Sequence, residues 1–140
     1  MTAPDFNTDF GMRALHRLES ERIVWLTTVS AAGAPQPSPV WFVWHDDAVL
    51  IYSQPGAPKV KAIGQNAKVS LNFNATVSGG NVVVFRGTAE IVEPSPVPST
   101  VEAFMAKYRS DMNGPEVTVE SFDAEYSQLI RVSLSGLRGF

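Results

Sequence analysis

The stretch IVWLTTVSAAGAPQPSPVWFVWHDDAVLIYSQPGAPKVKAIGQNAKVSLNF, Ile23 to Phe73, decides the fold. Runs rich in β-branched and aromatic residues, at Ile23–Ser30, Val40–Trp44 and Ala48–Ser53, are separated by turn-forming clusters, which is the pattern of short strands. Ala31-Ala32-Gly33-Ala34-Pro35 stops the first run, and His45-Asp46-Asp47 reads as a tight hairpin between the second and third. Pro35, Pro37 and Pro39 lead into the second run. None has a backbone N–H to donate, so this lead-in is predicted to be an edge or an extended crossing segment. Beyond the third run, Pro58 suits the first position of a helix and Gly64 its C-terminal end, with Val60 and Ile63 as the buried pair.

Working outward, residues 9–20 place Leu15 and Leu18 on one face of a short amphipathic helix, and residues 1–9 are expected to be flexible. Downstream, Ala67–Phe73 and Asn81–Val92 are predicted strands around Ser78-Gly79-Gly80, a turn with ready access to positive φ. The proline-rich segment Glu93–Thr100 is a stiff connection. Ser99 and Glu102 have the spacing of a capping box, and Val101, Phe104, Met105 and Tyr108 follow at helical spacing. Asp111–Pro115 breaks that helix, and Ser127–Leu134 is a last strand. The sum is a mainly β chain of about six mostly antiparallel strands with two or three helices. Too few helices are present to cover a parallel sheet, so a small barrel with peripheral helices is expected. At 140 residues the chain, 1–140, fits a single domain.

Composition narrows the chemistry. The 14 acidic side chains outnumber the 11 basic ones, giving a net charge of −3, and the only candidate for a basic cluster is the short Lys59, Lys61, Lys68 group. Nucleic-acid binding is therefore not expected. The chain has no cysteine, which removes disulfides, a thiolate nucleophile and cysteine metal sites, and fits a reducing cytoplasm. The N-terminal MTAPDFNTDFGM lacks the basic and apolar regions of a secretory signal, so Asn74-Ala75-Thr76 reads as a chance match to a glycosylation acceptor. No run approaches the length of a membrane span.

Two clusters carry chemical promise. Lys59 and Lys61 stand at a strand-to-helix junction, where the first turn of a helix offers unbonded N–H groups and Ser53 ends the preceding strand; such a site suits a phosphate. From the local sequence alone, the plainer reading of the same residues is a solvated basic loop. In Pro37–Phe42, Ser38, Val40 and Trp41 could line an apolar slot for a flavin-like ring, although Trp25, Trp41, Phe42 and Trp44 also read as core or dimer contacts. His16 and His45 lack partners at zinc-binding spacing. Asp46, Asp47, Glu116, Glu120, Asp123 and Glu125 read as solvated surface. Neither a nucleophile elbow nor a Walker loop is present.

The order IVWLTTVS, GAPQPSPVWFVW, AVLIYSQPGAPKVKAIGQNAKVSLNF, VVVFRGTAEIVE resembles the split-barrel flavin and deazaflavin oxidoreductase superfamily, whose best-known member is pyridoxamine 5'-phosphate oxidase. Within it the chain is most similar to the actinobacterial branch that uses the 8-hydroxy-5-deazaflavin coenzyme. The resemblance implies a homodimer of split β-barrels with two cofactor sites at the subunit interface. By position, Lys59 and Lys61 would hold the cofactor phosphate beside Ser53, and Ser38, Pro39, Val40 and Trp41 would run along the ring. Ala57 and Pro58 stand where relatives often carry an arginine of the phosphate loop. The implied activity is hydride transfer from the reduced deazaflavin to a small conjugated acceptor such as an enone, quinone or tetrapyrrole. FMN is the alternative cofactor for an oxidase or reductase of the same fold, and a non-catalytic carrier or sensor is the third reading.

Overall fold

The computed structural model describes residues 3–140. In chain order the elements are α1 (Asp9–Ser20), β1 (Ile23–Val29), β2 (Pro35–Trp41), β3 (Val43–His45), β4 (Ala48–Ser53), α2 (Pro58–Gln65), β5 (Lys68–Asn72), β6 (Val83–Ile91), α3 (Glu102–Tyr108), α4 (Val119–Glu125) and β7 (Gln128–Gly139). The seven strands form one antiparallel sheet in the order β2-β1-β5-β6-β7-β4-β3. The two edges, β2 and β3, are consecutive in the chain and separated only by Phe42. The sheet therefore curls until its edges meet through one residue, which makes it a split barrel closed by chain continuity. The seventh strand arises because the run Val40–His45 breaks at Phe42. The fourth α-helix, α4, comes from the acidic stretch that the sequence reading left as surface.

Alternation along β4 explains why AVLIYS is apolar without interruption. Val49 and Ile51 face the barrel interior with Val24, Leu26, Leu71 and Phe85. Ala48, Leu50 and Tyr52 face the other way, under α3 and α4, with Phe104, Tyr108 and Phe122. A strand covered on both faces has no need of polar positions. By contrast, β1 has one buried face, with Val24, Leu26 and Thr28 inward, while outward-facing Trp25 donates its indole N–H to Asn74 Oδ1 at 2.9 Å. Burying each large apolar side chain contributes about 1.5–3 kcal/mol.

Local chemistry sets the turns. Asp46 and Asp47 both take positive φ, 50° and 58°, the signature of the two-residue turn whose twist matches a hairpin. In β2 the prolines at 35, 37 and 39 pair with Val29, Thr27 and Trp25 of β1 and occupy alternate positions of an edge strand, as expected for residues without an N–H. The Ser99–Glu102 capping box does not form. Pro98–Thr100 takes a 3-10 turn, α3 starts after Val101 with no side-chain cap, and the Ser99 hydroxyl donates to Asp123 instead. A reciprocal cap occurs at α4, between Thr118 and Ser121. Arg17 of α1, only 7% exposed, donates to the carbonyls of Asn74 and Asn81, both at 2.8 Å, and pairs with Glu21. It fastens α1 to the connection between β5 and β6. No helix among the described residues is long and apolar enough to cross a membrane.

Candidate functional site

A cleft of about 760 Å³ opens between the end of β2, the β4–α2 loop and α4. The β2 wall is Pro39, Val40 and Trp41; the loop supplies Ser53, Gln54, Gly56, Ala57, Pro58 and Lys59. Six of the eight residues singled out in the sequence are thus gathered at one cavity: Pro39, Val40, Trp41, Ser53, Pro58 and Lys59. Ser38 and Lys61 do not line it. Lys61 is exposed on α2, two positions from Lys59, and residues so spaced on a helix point in different directions. The Ser53 hydroxyl donates to the neighbouring Gln54 carbonyl at 3.1 Å.

The start of α2 has the properties of an anion cradle. Ala57 is its N-cap and no side chain caps it, although the first turn of any helix leaves N–H groups without intrahelical partners. Pro58 has no N–H, so Lys59 is the first residue able to offer one, together with its ammonium. The donor set of Lys59 and an uncapped helix start therefore fits the phosphate end of a flavin-type cofactor, and the Ser53 hydroxyl joins it by turning away from Gln54. Pro39, Val40 and the edge of the half-buried Trp41 give the cleft an apolar wall for the cofactor's ring end.

The sequence reading missed the opposite wall, which consists of Glu116, Val117, Ser121, Phe122, Glu125 and Tyr126. The signal was present in Phe122 and Tyr126, spaced i, i+4, and in the T-x-x-S cap. Three contacts hold this wall in place. Asp123 accepts from the Ser99 N–H at 2.9 Å. Glu125 accepts from Gln54 Nε2 at 2.7 Å, directly across the cleft. Phe122 stacks on Trp41 with ring centroids 5.4 Å apart. On its other face Trp41 stacks on Tyr108 at 4.5 Å and 2°, so the Trp41 ring is clamped between α3 and α4.

Two groups near the cleft are tied up structurally. The Tyr52 hydroxyl donates to the Pro96 carbonyl at 2.6 Å, and burial, aided by Asp123, raises its pKa to about 12; it stays protonated at neutral pH. The Tyr108 hydroxyl accepts from the Phe42 N–H at 2.9 Å and lies 2.8 Å from the Phe42 carbonyl and 2.6 Å from that of Arg22. Both backbone groups at the barrel's break are thereby satisfied. Lys107 also donates to the Phe42 carbonyl at 2.8 Å, with its ammonium 3.7 Å above the Phe42 ring. His45 is exposed beside Asp46, and the described residues contain no group able to hold a metal.

Burial, reinforced by Arg22 and opposed by Glu21, lowers the Lys107 pKa to about 8. Between that value and the ordinary lysine range, the unfolded chain binds the proton that the folded chain has lost, so stability rises with pH. Burial raises the Tyr52 and Tyr108 pKa values to about 12, which acts oppositely above the ordinary tyrosine value of about 10. Wild-type protein should therefore gain stability between about pH 8 and pH 10 relative to Lys107→Met. Urea midpoints at the two ends of that window check this, and a parallel pH dependence in the two proteins would show that Lys107 is not the source.

A curled antiparallel sheet with a cleft beside the β4–α2 loop defines a split-barrel, cofactor-binding class of protein. The chain belongs to the pyridoxamine 5'-phosphate oxidase family, whose model matches residues 12–137. Among solved structures it is similar to an F420 reductase, with a TM-score of 0.68 and 22% identity over 88% of this chain and 94% of that one. It is also similar to HutZ, the heme storage protein from Vibrio cholerae, with a TM-score of 0.62 and 18% identity over 89% and 91% of the two chains. An FAD-binding protein from Mesorhizobium loti gives a TM-score of 0.65 and 16% identity over 90% and 88%. At these identities the likeness speaks for the fold. No curated protein is similar enough to count as a match.

Proposed function

We propose that the protein is a single-domain oxidoreductase that binds the 8-hydroxy-5-deazaflavin coenzyme, known as F420, in the cleft and serves hydride transfer to a small conjugated acceptor. The observation that carries this reading is the convergence of Lys59, Ser53, the uncapped start of α2 and Trp41 on one cavity. The family and the similarity to an F420 reductase support it. When bound, the coenzyme supplies the hydride. The chain's own part is to hold the phosphate end at Lys59, place the ring beside Pro39, Val40 and Trp41, and exclude water with the α4 wall. Tyr52, tied to Pro96, takes no part in proton transfer. In this reading the protein is a cytoplasmic homodimer whose partner subunit completes the cleft, near exposed Val117.

Titration of cofactor-free protein with oxidised deazaflavin and, separately, with FMN tests the proposal. Tight deazaflavin binding with weak FMN binding is expected. Preference for FMN would move the protein to a flavin-dependent reaction, a reading that similarity to an FAD-binding protein favours. Tight binding without accelerated hydride transfer would favour a carrier, as similarity to a heme storage protein suggests. The two lysines sharpen the test. Lys59→Ala should weaken cofactor binding by about 1.5–3 kcal/mol, roughly 10- to 100-fold in Kd, through loss of a charge-assisted contact. Lys61→Ala should leave Kd within about twofold, because its side chain lies outside the cleft. Equal losses from both would place the phosphate on the outer face of α2.

A further inference from the structure

Four rings form a column through the second core layer. Tyr108 and Trp41 are 4.5 Å apart at 2°, Trp41 and Phe122 5.4 Å at 17°, and Phe122 and Tyr126 4.6 Å at 21°. Three of these rings are sandwiched or packed within α3, β2 and α4. Tyr126 ends the column: it lines the cleft, it is half-buried, and among the described residues no further ring stacks on it. On the same wall Glu116 and Glu125 also line the cleft, and Lys59 is the only basic side chain of the lining. Glu125 spends one oxygen on Gln54, which leaves the other to accept from a ligand.

We infer that Tyr126, with Glu116 and Glu125 in the same cleft lining, is the subsite for the substrate, and that it takes a planar conjugated molecule bearing a cationic or amino group at its rim. This deepens the reading above, since it puts the substrate on the α4 wall and leaves the Lys59 end to the cofactor. A planar ligand continues the ring column at Tyr126, where stacking is tolerant of ring identity. The two carboxylates set the sign of its substituents, because they attract a cation and repel a carboxylate in a partly enclosed cleft. Within this one cavity Lys59 of α2 favours the anionic cofactor end, and Glu125 of α4 with Glu116 before that helix favours a substrate of opposite sign.

Fluorescence anisotropy with two three-ring probes tests the inference: proflavine, planar and cationic, and acridine carboxylate, planar and anionic. Proflavine should bind at least about tenfold more tightly. Tyr126→Ala should weaken it about tenfold, Tyr126→Phe should retain it, and Glu116→Gln with Glu125→Gln should abolish the preference between probes while leaving the stacking. Equal affinity for the two probes in the wild type, or unchanged proflavine binding by a folded Tyr126→Ala protein, would overturn the assignment. The same Tyr126→Ala protein titrated with FMN and the deazaflavin separates the two readings. Unchanged cofactor affinity supports a distinct substrate subsite, and a tenfold loss would make Tyr126 a cofactor contact and overturn the division. Proflavine selectivity in a protein that binds neither cofactor would uphold the subsite and remove the oxidoreductase reading.

Discussion

Trp41→Ala should lower the unfolding free energy by about 3–5 kcal/mol and, in whatever remains folded, abolish ligand binding in the cleft. The ring is the shared partner of Tyr108 on one side and Phe122 on the other, so its removal leaves a slot between α3 and α4 that neither helix can fill alone. Truncating a large aromatic ring in a packed environment costs its transfer free energy and the cavity left behind. Here the cavity also connects to the cleft, because Trp41 lines it. A helix of seven residues such as α4 has little stability of its own, and its position rests largely on Phe122. Denaturant midpoints measure the first effect and probe titration the second. A variant that unfolded at the wild-type midpoint would show that α4 is anchored by the Ser99–Asp123 and Gln54–Glu125 bonds instead.

Tyr108→Phe should cost about 2–4 kcal/mol although it removes a single oxygen. That oxygen satisfies the buried Phe42 N–H and donates within reach of the Arg22 and Phe42 carbonyls. The Phe42 carbonyl keeps Lys107 as a partner, but the buried Phe42 N–H and the part-buried Arg22 carbonyl lose theirs; an unsatisfied buried group costs about 1–3 kcal/mol, and the Arg22 carbonyl, nearer to water, adds less. In a chain of this size such a loss corresponds to roughly a 10 °C fall in Tm. The ring itself, fully buried, is retained, so the change isolates the hydroxyl. A drop of less than about 3 °C by calorimetry would mean that water accepts from the Phe42 N–H in place of the hydroxyl.

The contrast between these two sites shows what the sequence disclosed. The doubly buried strand AVLIYS, the hairpin at Asp46-Asp47 and the proline-marked edge were legible because each rests on short-range rules: alternation, turn φ and a missing N–H. Lys59 was legible as a residue at a helix start. That Lys59 lines the cleft and Lys61 does not was beyond reach, because it depends on the rotation of α2 about its axis. The break at Phe42 was invisible in VWFVWH, since a tyrosine from α3 supplies the partner that the lost ladder would have given. The second cleft wall was overlooked because Glu116, Glu120, Asp123 and Glu125 mask a single buried anchor, Phe122. Serine at the third helical position is a weaker cap signal than the glutamate after Ser99, yet it formed and the other did not. Ser99 found Asp123, far away in sequence, and tertiary contact overrode local preference.

The alternating prolines of β2 have a bearing on how the molecule behaves in a crowded solution. Since β2 pairs with β1 along one side only, residues 35, 37 and 39 occupy the positions whose amides would project outward, and proline leaves nothing there to project. The rim consequently presents carbonyl oxygens without donors. An incoming strand needs both, so the β2 edge of this sheet is a poor template for growth by another copy of itself. The longer of the two edges thus stays uncovered without inviting a further strand.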